Sequence, residues 1–104
     1  MLTKEELVSE ISKTIVKTKV EKLSAILNKQ RFALRDLVDI TFHEDKNIAF
    51  RSAWILENLF LKKPDAYSHD LEYLVSRVKD VTYSSCRRHY AKIMMHITAK
   101  KSPR

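Results

Sequence analysis

Three groups of side chains in this 104-residue chain combine types and spacings that could do chemistry. Near the middle, Phe50, Trp54 and Glu57 fall at i, i+4 and i+7, with Arg51 adjacent. On a helix that spacing sets two rings and a carboxylate along one face. Such a face is a wall able to hold a protein or a ligand. The plainer reading is ordinary packing, with Trp54 buried against the second helix. Glu57 fits packing less well, because a carboxylate on a mostly apolar helix must reach water, a cap or a basic partner.

Further along, Arg88, Lys92, His96 and Lys100 recur every four residues, with Arg87 and His89 beside them. On one helix they form a gently spiralling basic stripe, opposite the apolar side, that suits phosphates or another anionic partner. The plain alternative is that cations near a helix C-terminus complement its dipole and stay solvated. The third group is Asp36, Asp39 and His43. An Asp–His pair four residues apart could tune an imidazole for proton transfer. On a surface the same pair is a weak ion pair worth under about 1 kcal/mol, and no nucleophile is brought to it by sequence. His89 and His96 stand about 10 Å apart along a helix axis, too far to share a metal ion, and Cys86 points to the apolar side. No metal site and no small-molecule cofactor is expected.

The composition bears on what can hold these groups. There is no glycine. Dinucleotide fingerprints, phosphate-cradling loops and tight hairpins need positive φ or close backbone approach, and so cannot be built here in their usual form. Helices joined by polar turns remain available, because Asn, Ser, Thr, Asp and Pro can cap them. One cysteine excludes an internal disulfide, no apolar run is long enough for a membrane span, and no signal peptide is expected. A cytoplasmic protein is expected. The net charge of +7 is unevenly placed: all thirteen acidic residues lie before position 81, while Arg87, Arg88, Lys92, Lys100, Lys101 and Arg104 follow it.

Periodicity and punctuation predict six helices. The first spans Glu5 to Val16, with Leu7, Val8, Ile11 and Ile15 inward and a capping box at Thr3 and Glu6. The second runs from Lys19 to Asn28 with Val20, Leu23, Ile26 and Leu27 buried, and the third from Phe32 to Phe42. The fourth, Lys46 to Lys62, follows an Asp45 N-cap and is apolar nearly all round, so it should lie between neighbours on both sides. Pro64 stops it. Ser68 then caps a fifth helix burying Leu71, Leu74, Val75 and Val78. A sixth opens at Asp80 or Thr82 and buries Tyr83, Cys86, Tyr90, Ile93, Met94 and Ile97, with Met95 on the outer side.

The segments repeat. Leu34-x-x-Leu37-Val38 recurs as Leu71-x-x-Leu74-Val75, 37 residues later. Ile48, Ala53, Leu56 and Leu59 then match Cys86, Ala91, Met94 and Ile97 at 38 residues, with the slip placed near a turn. An acidic turn, a small apolar residue, then Ala and Leu at helical spacing resembles the HEAT-like repeats over residues 31–98. The resemblance implies an all-α, right-handed α-α superhelix of about three antiparallel helix pairs in one domain, 1–104. It comprises an N-terminal pair (1–30), two related repeats (31–98) and a tail (99–104).

Arg51 to Glu57 is also similar to a segment of short bacterial HEAT-like proteins, some labelled adenylosuccinate lyase. Such a lyase is a far longer chain, and its glycine-bearing, serine-rich catalytic loop has no counterpart here, so no lyase activity is implied. In HEAT-like DNA-alkylation-repair glycosylases an aromatic-and-acid wall handles damaged bases, but this chain is less than half their usual length. The sequence therefore reads as a non-enzymatic interaction module whose partner is a protein, a second copy of itself included. Phe50, Arg51, Trp54 and Glu57 form the candidate wall. Nucleic-acid backbone binding through Arg87, Arg88, Lys92, His96 and Lys100 is the alternative, and an enzyme on this scaffold the third reading.

Overall fold

The computed structural model describes residues 2–14, 16–62, 67 and 69–101, the last four by backbone alone. Among the described residues six helices follow in order: α1 Lys4–Ser12, α2 Lys17–Leu27, α3 Leu34–Ile40, α4 Lys46–Lys62, α5 Leu71–Val78 and α6 Ser84–Lys101. They form two layers. The odd-numbered helices pack side by side in one layer and the even-numbered helices in the other, with α4 in contact with α1, α2, α3 and α6. That placement explains why α4 buries Ala49, Ser52, Ala53, Ile55, Leu56, Leu59 and Phe60. A helix with neighbours on several sides needs apolar residues on several sides.

The ends of the helices follow local chemistry. Thr3 and Glu6 make the reciprocal capping box, through bonds of 2.9 and 3.2 Å. The Thr3 backbone N–H holds the Glu6 carboxyl below its usual range. Asp45 opens α4 by accepting from the N–H of Asn47 at 2.9 Å and of Ile48 at 3.4 Å. The α1 helix ends earlier than its periodicity predicts, because the Thr14 hydroxyl donates to the Ile11 carbonyl at 2.6 Å and Val16 is extended. Hydroxyls of this kind compete with the helical ladder. Accordingly α2 begins two residues earlier, at Lys17.

Phe32 lies outside α3 because it forms a parallel bridge with Leu2, and the Leu2 N–H donates to Arg31 O at 3.0 Å. The α6 helix opens at Ser84, later than expected. Its approach is pinned by Tyr83, whose hydroxyl lies 3.1 Å from His43 O and 3.2 Å from Glu44 O, and by Arg87 Nε donating to Val81 O at 2.9 Å. The helix then runs on to Lys101, past the expected start of the tail. The N-cap position of α5 is Asp70, without a side-chain cap bond. The expected cap Ser68, the stop at Pro64 and the core position Ile15 lie outside the described residues.

The core is continuous from Leu7 to Ile93. Within it the repeat has one period. The match at 38 residues pairs Ala53, which is fully buried, with Ala91, which is exposed. Burial instead aligns Ala49, Ser52, Ala53 and Leu56 with Cys86, His89, Tyr90 and Ile93 at 37 residues, the offset that relates α3 to α5. No residue slips at the turn. The same i, i+3, i+4, i+7 face runs along α2 as Val20, Leu23, Ser24 and Leu27. Ile26 and Val75, expected in the core, are exposed. Both sit on helices at the margin of their layer, where one neighbour covers one face and leaves the other open. Met95 is exposed on the outer side, as its register requires.

Candidate binding groove

The even-numbered helices each turn polar side chains toward the same space, and α4 and α6 add rings. On α4, Phe50, Trp54, Glu57 and Asn58 line it; on α6, Ser85, Arg88, His89 and Lys92; on α2, Lys17 and Glu21. Together they enclose a groove of about 510 Å³. The aromatic wall and the basic stripe, more than thirty residues apart in sequence, thus face one another across one site.

His89 joins them. It belongs to the basic stripe by sequence, yet it is one of the buried polar residues, at 8% exposure. Its ring stacks near-parallel on Trp54, at 6.0 Å and 18°, and lies 5.2 Å from the Phe50 ring, which itself sits 5.6 Å from Trp54. Three rings therefore form the floor. Nδ1 of His89 lies 2.5 Å from Oε1 of Glu57, with both side chains close to nine-tenths buried. An ionised carboxylate can only accept, so Nδ1 carries the proton and donates. Glu57 has thereby found the basic partner that an acid on an apolar helix requires. Trp54 is half-buried, packed on α6 through His89 instead of against α2 alone.

The other predicted residues separate. Arg51 sits on α4 but turns away from the groove, and its guanidinium reaches Ser12 O at the C-terminal end of α1, at 3.5 Å. There a cation complements the negative end of the helix dipole. Arg87 faces the opposite side of α6, in a shallow depression shared with Val78, Lys79, Tyr90 and Ala91. His96 is half-buried, and its Nε2 is buried without a hydrogen-bond partner among the described residues. The Lys100 side chain lies outside the described residues. Of the basic set, Arg88 and Lys92 reach the groove.

Asp39 and His43 do not pair. Asp39 is held by the Tyr73 hydroxyl, by Arg77 at 3.3 Å and by Lys4 at 3.8 Å, tying α3 to α5 and α1. His43 Nδ1 accepts the N–H of Asp45 at 2.9 Å, inside the turn. The bond to Asp39 pushes the Tyr73 phenol up, and Arg77 stacks over Phe42 at 4.2 Å. These contacts brace the odd-numbered layer and offer no open site.

Lys17, Glu21, Asn58 and Ser85 were not singled out by the sequence. Lys17 and Glu21 lie four apart on the polar face of α2, and Ser85 precedes Arg88 by three and so continues the basic stripe of α6. What pointed them at one another was the packing of α2 and α6 on the two sides of α4.

A family model described as a HEAT repeat domain matches residues 4–104. The chain belongs to the HEAT repeat family. The match takes in α1 and α2 together with the two later pairs. HEAT repeats generally mediate protein interactions, and the adenylosuccinate lyase label has no bearing on this match. Comparison with curated proteins and with solved structures finds no match. Among the described residues no helix is long and apolar enough to cross a membrane.

Proposed function

We propose that this HEAT repeat chain is a small, non-enzymatic interaction module of the cytoplasm, acting as one domain over 1–104. It binds a protein partner through the groove between α2, α4 and α6. One observation carries the reading: Phe50, Trp54 and His89 line the same groove as Lys17, Arg88 and Lys92. A stack of helices binds through the surface its repeats build together, and this groove draws side chains from three successive pairs. Glu57, the acid an enzyme reading would use, is engaged by His89. The test is a pull-down from native lysate with nuclease-treated and untreated arms, comparing the wild-type chain with Phe50→Ala. Capture that survives nuclease and falls with the substitution supports a protein partner at the groove; capture unchanged by the substitution places binding elsewhere.

Nucleic-acid binding is the second reading, because cations beside stacked rings are also the equipment of single-strand binders. Three cations meeting phosphates would give a log–log salt slope of about −2 on single strands. A flat response to salt rules this reading out.

A further inference from the structure

We infer that the occupant of the groove is an acidic protein segment carrying one aromatic or large aliphatic anchor residue. The inference rests on the groove being the binding surface, and names what fits it. Among the described residues Lys4, Arg35 and Arg77 each pair with a carboxylate, whereas no carboxylate pairs with Lys17, Arg88 or Lys92. Other surface cations, Lys19, Lys22 and Arg31 among them, are open as well, but Lys17, Arg88 and Lys92 are the ones gathered around one groove. Glu21 is the one rim acid outside the Glu57–His89 pair, so the rim keeps an excess of positive charge that an acidic segment would complement.

The placement of the charges favours carboxylates over a phosphodiester strand. Lys17 stands on the α2 wall and Arg88 and Lys92 on the α6 wall, with Glu21 on the first. An acid thus stands among the rim cations, and a peptide can place a neutral residue beside Glu21, whereas every phosphate of a strand is charged. One face of Trp54 is already covered by His89, which leaves less ring for a base to stack on. The half-buried rings instead present an apolar floor that a single side chain can complete. A volume of about 510 Å³ takes a short segment with one anchor and no more.

Trp54 is the only tryptophan, so its emission reports on the groove directly. The full chain is titrated at low salt with a blocked pentapeptide of phenylalanine flanked on each side by two glutamates. The expected result is a saturable change in Trp54 emission, weakened about tenfold or more by Arg88→Glu with Lys92→Glu. Both residues are exposed, so the doubly substituted chain keeps its fold, which far-UV circular dichroism checks. Replacing the phenylalanine by alanine weakens binding, and replacing the glutamates by lysines removes it. No saturable change up to millimolar peptide, equal binding by the charge-reversed chain, or tighter binding of oligothymidylate overturns the inference. If that happens while Phe50→Ala still abolishes protein capture, the groove reading stands and only the occupant is wrong. If capture ignores Phe50→Ala, the groove reading itself has failed.

Discussion

Replacing Glu57 by alanine tests the central contact of the groove. The carboxylate meets His89 Nδ1 at 2.5 Å, and the two side chains are 12% and 10% exposed. Removal leaves the imidazole N–H of a buried residue beside the Phe50 and Trp54 rings without the carboxylate that accepts from it. A hydrogen bond to a charged group contributes about 1.5–3 kcal/mol, and a buried donor left alone costs about 1–3 kcal/mol. These overlap in one measurement, so Glu57→Ala is expected to lose about 2 kcal/mol. In a domain of this size that lowers Tm by roughly 10 °C. Glu57→Gln keeps an acceptor at the same reach and should lose about 1 kcal/mol or less. Urea denaturation followed by Trp54 emission gives both values, since Trp54 stacks on His89 and senses its release. A loss under about 0.5 kcal/mol for the alanine variant, within the range of an ordinary surface change, would refute the claim that this pair locks α4 to α6.

Four further outcomes follow from the core and its edges. Burial pushes the Tyr90 phenol up to about 12 and the Cys86 thiol up to about 11. Between pH 10 and 12 the unfolded phenol ionises while the folded one does not, so stability falls as pH rises, by up to about 1.4 kcal/mol per unit for Tyr90. A chain whose urea midpoint is flat from pH 9 to 12 contradicts this. For the same reason Cys86 should react with a thiol reagent at pH 8 about a hundredfold more slowly than a free cysteine, and rapid labelling of the folded chain counts against its burial. Leu56→Ala removes a fully buried side chain where α4 is packed on several sides, and is expected to cost about 2–5 kcal/mol in denaturation. Thr3→Ala dissolves the capping box on an exposed helix end and should cost only about 1 kcal/mol.

The fold was largely legible because its cause is local. Apolar residues at i, i+3, i+4 and i+7 can bury only one way on a helix, and α4 matches its expected bounds from Lys46 to Lys62 because Asp45 caps it and the apolar run is continuous. Thr3 and Glu6 were readable for the same reason, since a capping box spans four residues and needs nothing distant. Boundaries failed where a distant partner intervened: Phe32 leaves α3 to bridge Leu2, and Tyr83 holds back the start of α6 by reaching His43 and Glu44. The period of 37 residues became clear only from burial, because Ala53 resembles Ala91 in type while its packing equivalent is Tyr90.

The candidate site divides in the same way. By itself the sequence determined that Phe50, Trp54 and Glu57 share a helical face, that Arg88 and Lys92 share another, and that Glu57 needs a partner, since helical pitch and the cost of burying charge are local facts. Tertiary structure decided that the two faces meet. It turned His89 out of the basic stripe and under Trp54, gave it to Glu57, and sent Arg51 and Arg87 to other surfaces. The rotation of α6 against α4 is set by where Cys86, Tyr90 and Ile93 bury. Once those three face the core, His89 must lie at its margin and Arg88 and Lys92 at the groove, a consequence of packing that no single helix contains.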